Sequence, residues 1–411
     1  MREYLTLDDV SVDGKTVLLR VDFNMPLDKN TLEILDTTRM KRVLPTIQEL
    51  QKKNAKIVIL AHQGRKGSWD FISLNHHAET LQQLINSPVG FVDDIHGEKA
   101  RDAITSMKSG EILFLDNVRK LEYETEKKSP QEHAQTDFIK DLSSIADLFV
   151  NDAFAAAHRK QCSIVGFTAV LPSVAGRLME SELTTLSKVV KNPEKPSVFL
   201  FGGAKFSDIM ITIDQLLKNK TADIILLTGL PANAFLKAKG YDLGEKNIEK
   251  LMEEGTEENF TDIKRLLDSY GDHIVLPTDF AIDVDGNRQE INLEDLPSEK
   301  PLFDIGSKTI DTYKGLLSKA KTIFLSGPCG VFEQSIFMKG TEEIFSYVAG
   351  SSAFSIVGGG HTVAAITKLS LEQDISHIST GGGSLEKFMM GEKLVAVEAL
   401  KEAKKTYELK A

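Results

Sequence analysis

Short apolar runs of about 5–7 residues alternate along the chain with amphipathic stretches of helical period. TVLLR, KIVIL, EILFL, LFVN, VFLF, IILL, IFLS and AFSIV read as strands bounded by Gly, Asp or Pro. Between such runs the pattern predicts helices over Thr38–Lys53, Asn75–Ile85, Ser207–Leu217, Asn233–Lys239, Ile248–Met252, Asp262–Tyr270, Ser307–Lys319, Thr341–Val348 and Thr362–Leu369. Continuously apolar strands alternating with helices imply an α/β protein whose parallel sheets are covered on both faces. Pro172 to Val190 reads as one long amphipathic helix, stopped by Asn192-Pro193 and Pro196. The Asp285-Gly286 pair predicts a hairpin turn. The DVDG around it also resembles the start of a calcium loop, but the closing bidentate Glu of such a loop is missing. The last stretch, VEALKEAKKTYELKA, has the pattern of a charged amphipathic helix.

A length of 411 residues exceeds one compact core, so two domains of roughly 200 residues are expected. In parallel sheets, ligands sit at the carboxyl ends of the strands, which directs attention to the loops there. In the first half these loops end in cations and amides: RVDFN to Asn24, AHQGR to Arg65, LDNVR to Arg119 and NDAFAAAHR to Arg159. Asp22 and Asn24, two apart on extended backbone, point to one side. Arg39 stands at the start of the next helix, and His62 precedes Arg65. Cations gathered at one sheet edge repel one another unless an anion binds among them, and guanidinium forks suit carboxylate or phosphate. The net charge of -11 sharpens this reading, because an anionic ligand needs such a local patch. The same charge disfavours nucleic acid and anionic membranes as partners.

In the second half the loops end in glycine instead. GGAK contains Gly203 and Lys205, IILLTG ends at Gly229, and GPCGVFE carries Pro328 and Glu333. GGGHT spans Gly358 to Thr362 with Gly359, Gly360 and His361, and TGGGS contains Gly381, Gly382 and Gly383. Glycine loops that open helices bring backbone N–H groups close to nucleotide phosphates, Lys205 adds a point charge, and Glu333 suits ribose hydroxyls. The Walker, dinucleotide-binding and protein-kinase signatures are missing from the sequence. Two unlike phosphate sites, one in each half, suggest a protein that moves a phosphoryl group between them. A kinase acting on another carboxylate, or a non-catalytic binder of phosphometabolites, remains the alternative on residues alone. Cys162 and Cys329 lie far apart without metal-ligand spacing and read as reduced thiols. No apolar signal core and no run of about 18 apolar residues is present, so a cytoplasmic protein is expected.

Taken together, RVDFNMPL, AHQGR, LDNVR, FVNDAFAAAHR, GGAKFSD, LPTDF, DIGSKT, GPCGVFE, KGT, GGGHT and HISTGGGSLE resemble the phosphoglycerate kinase family, in its order, across residues 16 to 386. GGGHT, and a GGAK without a lysine four residues on, look like archaeal members. The resemblance implies two doubly wound lobes: residues 1–172, joined by an interdomain helix over 173–190 to residues 191–392, with 393–411 returning to the first. It implies 3-phosphoglycerate or 1,3-bisphosphoglycerate on the first lobe, held by Asp22, Asn24, Arg39, His62, Arg65, Arg119 and Arg159. It implies ATP or ADP with Mg2+ on the second, met by Lys205, Glu333 and Gly359–Thr362, with Gly381–Gly383 near the phosphates. Arg39 and Lys205 are the expected catalytic cations, and a monomer the expected state. Three positions depart from the family's commoner pattern: Ile209 replaces a second lysine, Ser326 an asparagine, and His361 an aspartate. Histidine is a poor magnesium ligand, so no protein ligand for the metal is assigned.

Overall fold

The strand-like runs do form strands, and their register places the loops that follow. The computed structural model describes residues 2–204, 207–255 and 259–408. The chain divides into two units, Met1–Thr184 with Lys393–Ala411, and Thr185–Glu392.

The first unit is built on six parallel strands: β1 (Thr16–Arg20), β2 (Lys56–Leu60), β3 (Val89–Val92), β4 (Ile112–Leu115), β5 (Leu148–Asn151) and β6 (Ser173–Ala175). Their order is β3-β4-β2-β1-β5-β6. Alternate residues serve opposite faces: Val17, Leu19, Ile57 and Ile59 belong to one apolar cluster, Leu18, Val58 and Leu60 to another. Both faces are therefore covered, which is why these strands read as unbroken apolar runs. Arg20 pairs with Leu60 on one side and Asn151 on the other, so the three loops that follow leave the sheet at one level.

In the second unit the strands are β7 (Ser197–Phe201), β8 (Ile224–Leu227), β9 (Ile274–Val275), β13 (Thr322–Ser326), β14 (Phe354–Gly358) and β15 (His377–Ile378). They run parallel in the order β15-β14-β13-β7-β8-β9. The order reverses between β7 and β13, where Ser326 pairs with Phe201. That crevice is where open α/β sheets take ligands. A separate antiparallel sheet joins β10 (Asp279–Val284), β11 (Asn287–Asn292) and β12 (Asp304–Ile305). Asp285 and Gly286, with φ of 53° and 79°, make the expected two-residue hairpin turn.

Helix positions follow the hydrophobic period closely, as over Asn75–Ile85. Others start earlier than expected: Gly229–Ala238 accommodates Pro231 in its first turn, and Glu245–Glu253 extends the short stretch around Ile248. The linking helix differs more. It runs over Arg177–Lys191, and Ser173–Ala175 form the buried edge strand β6 instead of its first turn. Gly176, whose N–H donates to the Asn151 carbonyl at 3.0 Å, separates the two. At the other end of the chain, the helix Val395–Glu408 belongs to the first unit, where the Ala396 N–H donates to the Ala157 carbonyl at 2.9 Å.

Candidate functional site

Three loops at the carboxyl edge of the first sheet are locked by side-chain amides. Gln63 grips the backbone of Met25 from both sides, its Oε1 accepting at 2.7 Å and its Nε2 donating at 3.1 Å. Asn117 holds Gln63 in turn, donating to its carbonyl at 2.7 Å and accepting from its N–H at 3.3 Å. Asn24 Oδ1 accepts from the Gly64 N–H at 2.9 Å. Gly64 has φ of +67°, and a Cβ there would lie 2.5 Å from the Asp70 backbone. Only glycine fits the turn that delivers Arg65.

Within this frame Asp22 lies beside Arg39 and His62. Arg39 Nη1 donates to Asp22 Oδ2 at 2.7 Å. His62 is buried, with Nδ1 3.8 Å from Asp22 Oδ1, beyond hydrogen-bond reach. Burial alone would raise the Asp22 carboxyl, but the Arg39 and Arg20 charges and the Asn24 N–H hold it below the ordinary carboxylate range. Burial drives the His62 imidazole well below its usual value despite Asp22, and Arg20, Arg119 and Arg159 push the same way. His62 is thus neutral near pH 7. Arg119 is buried, donates to the Gly64 carbonyl, and leaves its Nε without a partner. Burial, then the charges of Arg159 and Arg20, lower it to about 10. Arg159 donates from Nε to His158 Nε2 at 3.3 Å. Arg65 is exposed on its turn.

Sequence reasoning missed Arg20 as a member of this cluster. It is fully buried beside His62, with Nη2 3.3 Å from His62 Nδ1. Buried Glu124 lies within its field and Ser163 hydrogen-bonds to it, both from distant segments. Guanidiniums outnumber carboxylates here: burial lowers Arg20 and Arg119, and neighbouring guanidinium charge lowers them further, an arrangement suited to an anion.

The second unit presents a cleft of about 180 Å3 at the β7/β13 crevice. Of the residues expected from sequence, Gly203, Pro328, Gly359, Gly360, His361, Thr362, Gly382 and Gly383 line it. Gly381 lies next to it, its N–H donating to Ser379 Oγ at 3.1 Å. Gly229 acts from behind: a Cβ there would come 2.7 Å from the Gly203 carbonyl oxygen. Glu333 is exposed and does not line the cleft. Lys205 lies outside the described residues. The lining also includes apolar residues that the sequence pattern did not reveal: Phe201, Ile209, Phe324, Leu385 and Met389. The Gly360–Lys368 and Gly383–Met389 helices open at the cleft. Apolar side chains together with helix N-termini and glycine backbone in one cleft suit a base and its phosphates.

Among the described residues, His361 and Glu386 are the cleft's metal-capable side chains, one imidazole and one carboxylate. Among the described residues no group of three or more His, Cys, Asp or Glu could hold a metal ion. A hard cation that wants several oxygens is not matched by this donor set. No helix among the described residues is long and apolar enough to cross a membrane.

Residues 7–392 match the family model for phosphoglycerate kinase. The chain belongs to the phosphoglycerate kinase family. Its phosphoglycerate kinase relatives include one from Methanothermus fervidus, 45% identical with 98% of each chain covered. One from Methanococcus maripaludis is 46% identical over 99% of this chain and all of the relative. The crystal structure of phosphoglycerate kinase from Pyrococcus horikoshii OT3 superposes with a TM-score of 0.90 at 40% identity, covering 98% of this chain and 99% of that one. The structure of phosphoglycerate kinase from Coxiella burnetii gives 0.83 at 32%, covering 97% of this chain and 99% of that one. As a member of the phosphoglycerate kinase family the protein is a kinase, and the family is nucleotide-dependent and generally uses Mg2+.

Proposed function

We propose that the protein reversibly transfers the acyl phosphate of 1,3-bisphosphoglycerate to ADP, giving 3-phosphoglycerate and ATP. The observation that carries this is the convergence of Asp22, Asn24, Arg39, His62, Arg119 and buried Arg20 at one sheet edge. That cluster suits a short hydroxy acid bearing its own phosphate: guanidiniums for the anionic ends, Asp22 and Asn24 for the hydroxyl. Arg65 and Arg159 complete it. The glycine cleft takes the nucleotide, with Lys205 beside its phosphates.

No covalent enzyme intermediate is needed, because in the reverse direction the substrate carboxylate is the nucleophile. Phosphoryl transfer is then mostly alignment and charge stabilisation. Arg39 steadies the moving phosphoryl from the first unit, and Lys205 opposes it from the second. Bound with the nucleotide, Mg2+ would supply neutralisation of phosphate charge; no described side chain is assigned to hold it. Residues 1–172 with 393–411 form the phosphoglycerate lobe and 191–392 the nucleotide lobe. The Arg177–Lys191 helix is the lever by which they close in solution. The same reading places the protein in the cytoplasm as a monomer.

A coupled assay with 3-phosphoglycerate and Mg-ATP tests the reading directly. Turnover that requires both is expected; absence of turnover with 3-phosphoglycerate, while another carboxylate is phosphorylated, would sink it.

A further inference from the structure

Arg20 carries its charge in full burial, so something must hold it there. Its Nε donates to Ser163 Oγ at 2.8 Å. The same hydroxyl donates to Glu124 Oε1 at 2.6 Å, and Glu124 Oε2 accepts the Ser163 N–H at 2.8 Å. Glu124 and Ser163 are themselves fully buried. A guanidinium can only donate, so Ser163 Oγ accepts from it; burial pushes the Glu124 carboxyl up while Arg20 pulls it down, and with Glu124 ionised as the counter-charge to Arg20 the hydroxyl gives its own hydrogen to the carboxylate.

The far side of Arg20 is equally constrained. Nη1 donates to the Val21 carbonyl, and Nη2 lies 3.3 Å from His62 Nδ1. Because Arg20 has no lone pair to offer, Nδ1 must be the acceptor and the single proton of neutral His62 sits on Nε2. Asp22, 3.8 Å from the same Nδ1, is too far to claim that nitrogen as a donor. An unbroken chain therefore runs Glu124–Ser163–Arg20–His62.

We infer that Glu124 and Ser163 are positioning residues for the phosphoglycerate site. They fix the Arg20 fork, and through it the His62 tautomer that turns an Nε2–H donor toward an incoming anion. The inference rests on the reading of this cluster as the phosphoglycerate site. Neither residue touches the cleft of the second unit, so nucleotide binding is outside its reach.

The test uses Ser163→Ala, Ser163→Thr and Glu124→Gln in the full chain. Ser163→Ala and Glu124→Gln should each raise KM for 3-phosphoglycerate about tenfold, as expected for losing a buried hydrogen bond to a charged group, with KM for ATP unchanged. Ser163→Thr, which keeps the hydroxyl, should restore it. Nitrogen NMR of the His62 ring, assigned by its loss in His62→Gln, should report the Nε2–H tautomer in the unaltered protein and a mixture in Ser163→Ala. An Nδ1–H tautomer in the unaltered protein would overturn the inference, whether or not the variants fold. So would an unchanged KM for 3-phosphoglycerate in Glu124→Gln, or equal losses for both substrates. Failure of the unaltered protein to turn over 3-phosphoglycerate would instead strike the functional reading, leaving the tautomer result to stand alone.

Discussion

Asp22 keeps Arg39 in place before any substrate arrives, since the 2.7 Å contact joins a helix to a loop in a single geometry. A cation already oriented toward its target need not reorganise when charge develops there. Arg39→Ala should therefore lower kcat by about 10²–10³-fold, the scale for losing one such donor, while ADP titration stays close to normal. Unimpaired turnover in that variant would remove Arg39 from the chemistry. At this scale the sequence was a good guide wherever a polar residue follows a strand: Asn24, His62, Arg65, Arg119 and Arg159 all lie in segments that leave the sheet at that edge, Arg119 in a short 3-10 turn. It was a poor guide to Arg20, which ends a strand and looks like a surface cation. Its burial is set by Ser163 and Glu124, more than a hundred residues along the chain, and no local pattern encodes such a contact. Phe201 and Phe324 were hidden for the opposite reason, because aromatic residues in a strand read simply as core.

Elements meet the sites through their ends. At the start of the Arg177–Lys191 helix, Asp152 accepts from the Met179 N–H at 2.9 Å and from Thr46 Oγ1 at 2.6 Å, while Thr46 accepts from the Arg177 N–H at 2.8 Å. Burial raises the Asp152 carboxyl to about 7, against the pull of these donors. Between about pH 4 and pH 7 the folded state therefore keeps a proton that the unfolded chain releases, so this group's contribution to stability falls as pH rises. Asp152→Asn cannot lose that proton. Its denaturant stability should drop less steeply than the parent's across this window; parallel curves would show that Asp152 does not titrate there. Gly327, at φ +95°, sets the other end. A Cβ on it would lie 2.1 Å from the Gly202 carbonyl oxygen, so Gly327→Ala must push the two loops apart. Besides the steric clash, the left-handed backbone costs about 1–3 kcal/mol, and nucleotide titration should weaken while the first unit melts as before. The sequence placed most helices within a few residues, yet it started the linking helix at Pro172. The edge strand β6 has only three residues, Ser173–Ala175, which is too short to show a period of its own.

For the whole molecule, the donor set in the nucleotide cleft separates metal dependence from folding. Because no metal-holding group is present among the described residues, chelation with EDTA should abolish turnover and leave the melting temperature unchanged. A fall of several degrees would reveal a resident ion. The division into two units was readable from length and from the change of loop chemistry halfway along. The antiparallel β11-β10-β12 sheet was only half visible, through its Asp285-Gly286 turn.

The helix Val395–Glu408 buries Ala396, Ala399, Leu400 and Ala403 in a unit whose other residues are Met1–Thr184. On the ribosome these residues are made only after the whole of Thr185–Glu392 has followed the earlier segment out. The half that begins synthesis is thus the half that finishes last, and it waits with an apolar face uncovered throughout. The nascent amino-terminal portion is therefore the part whose exposed apolar face needs shielding until the last helix is made.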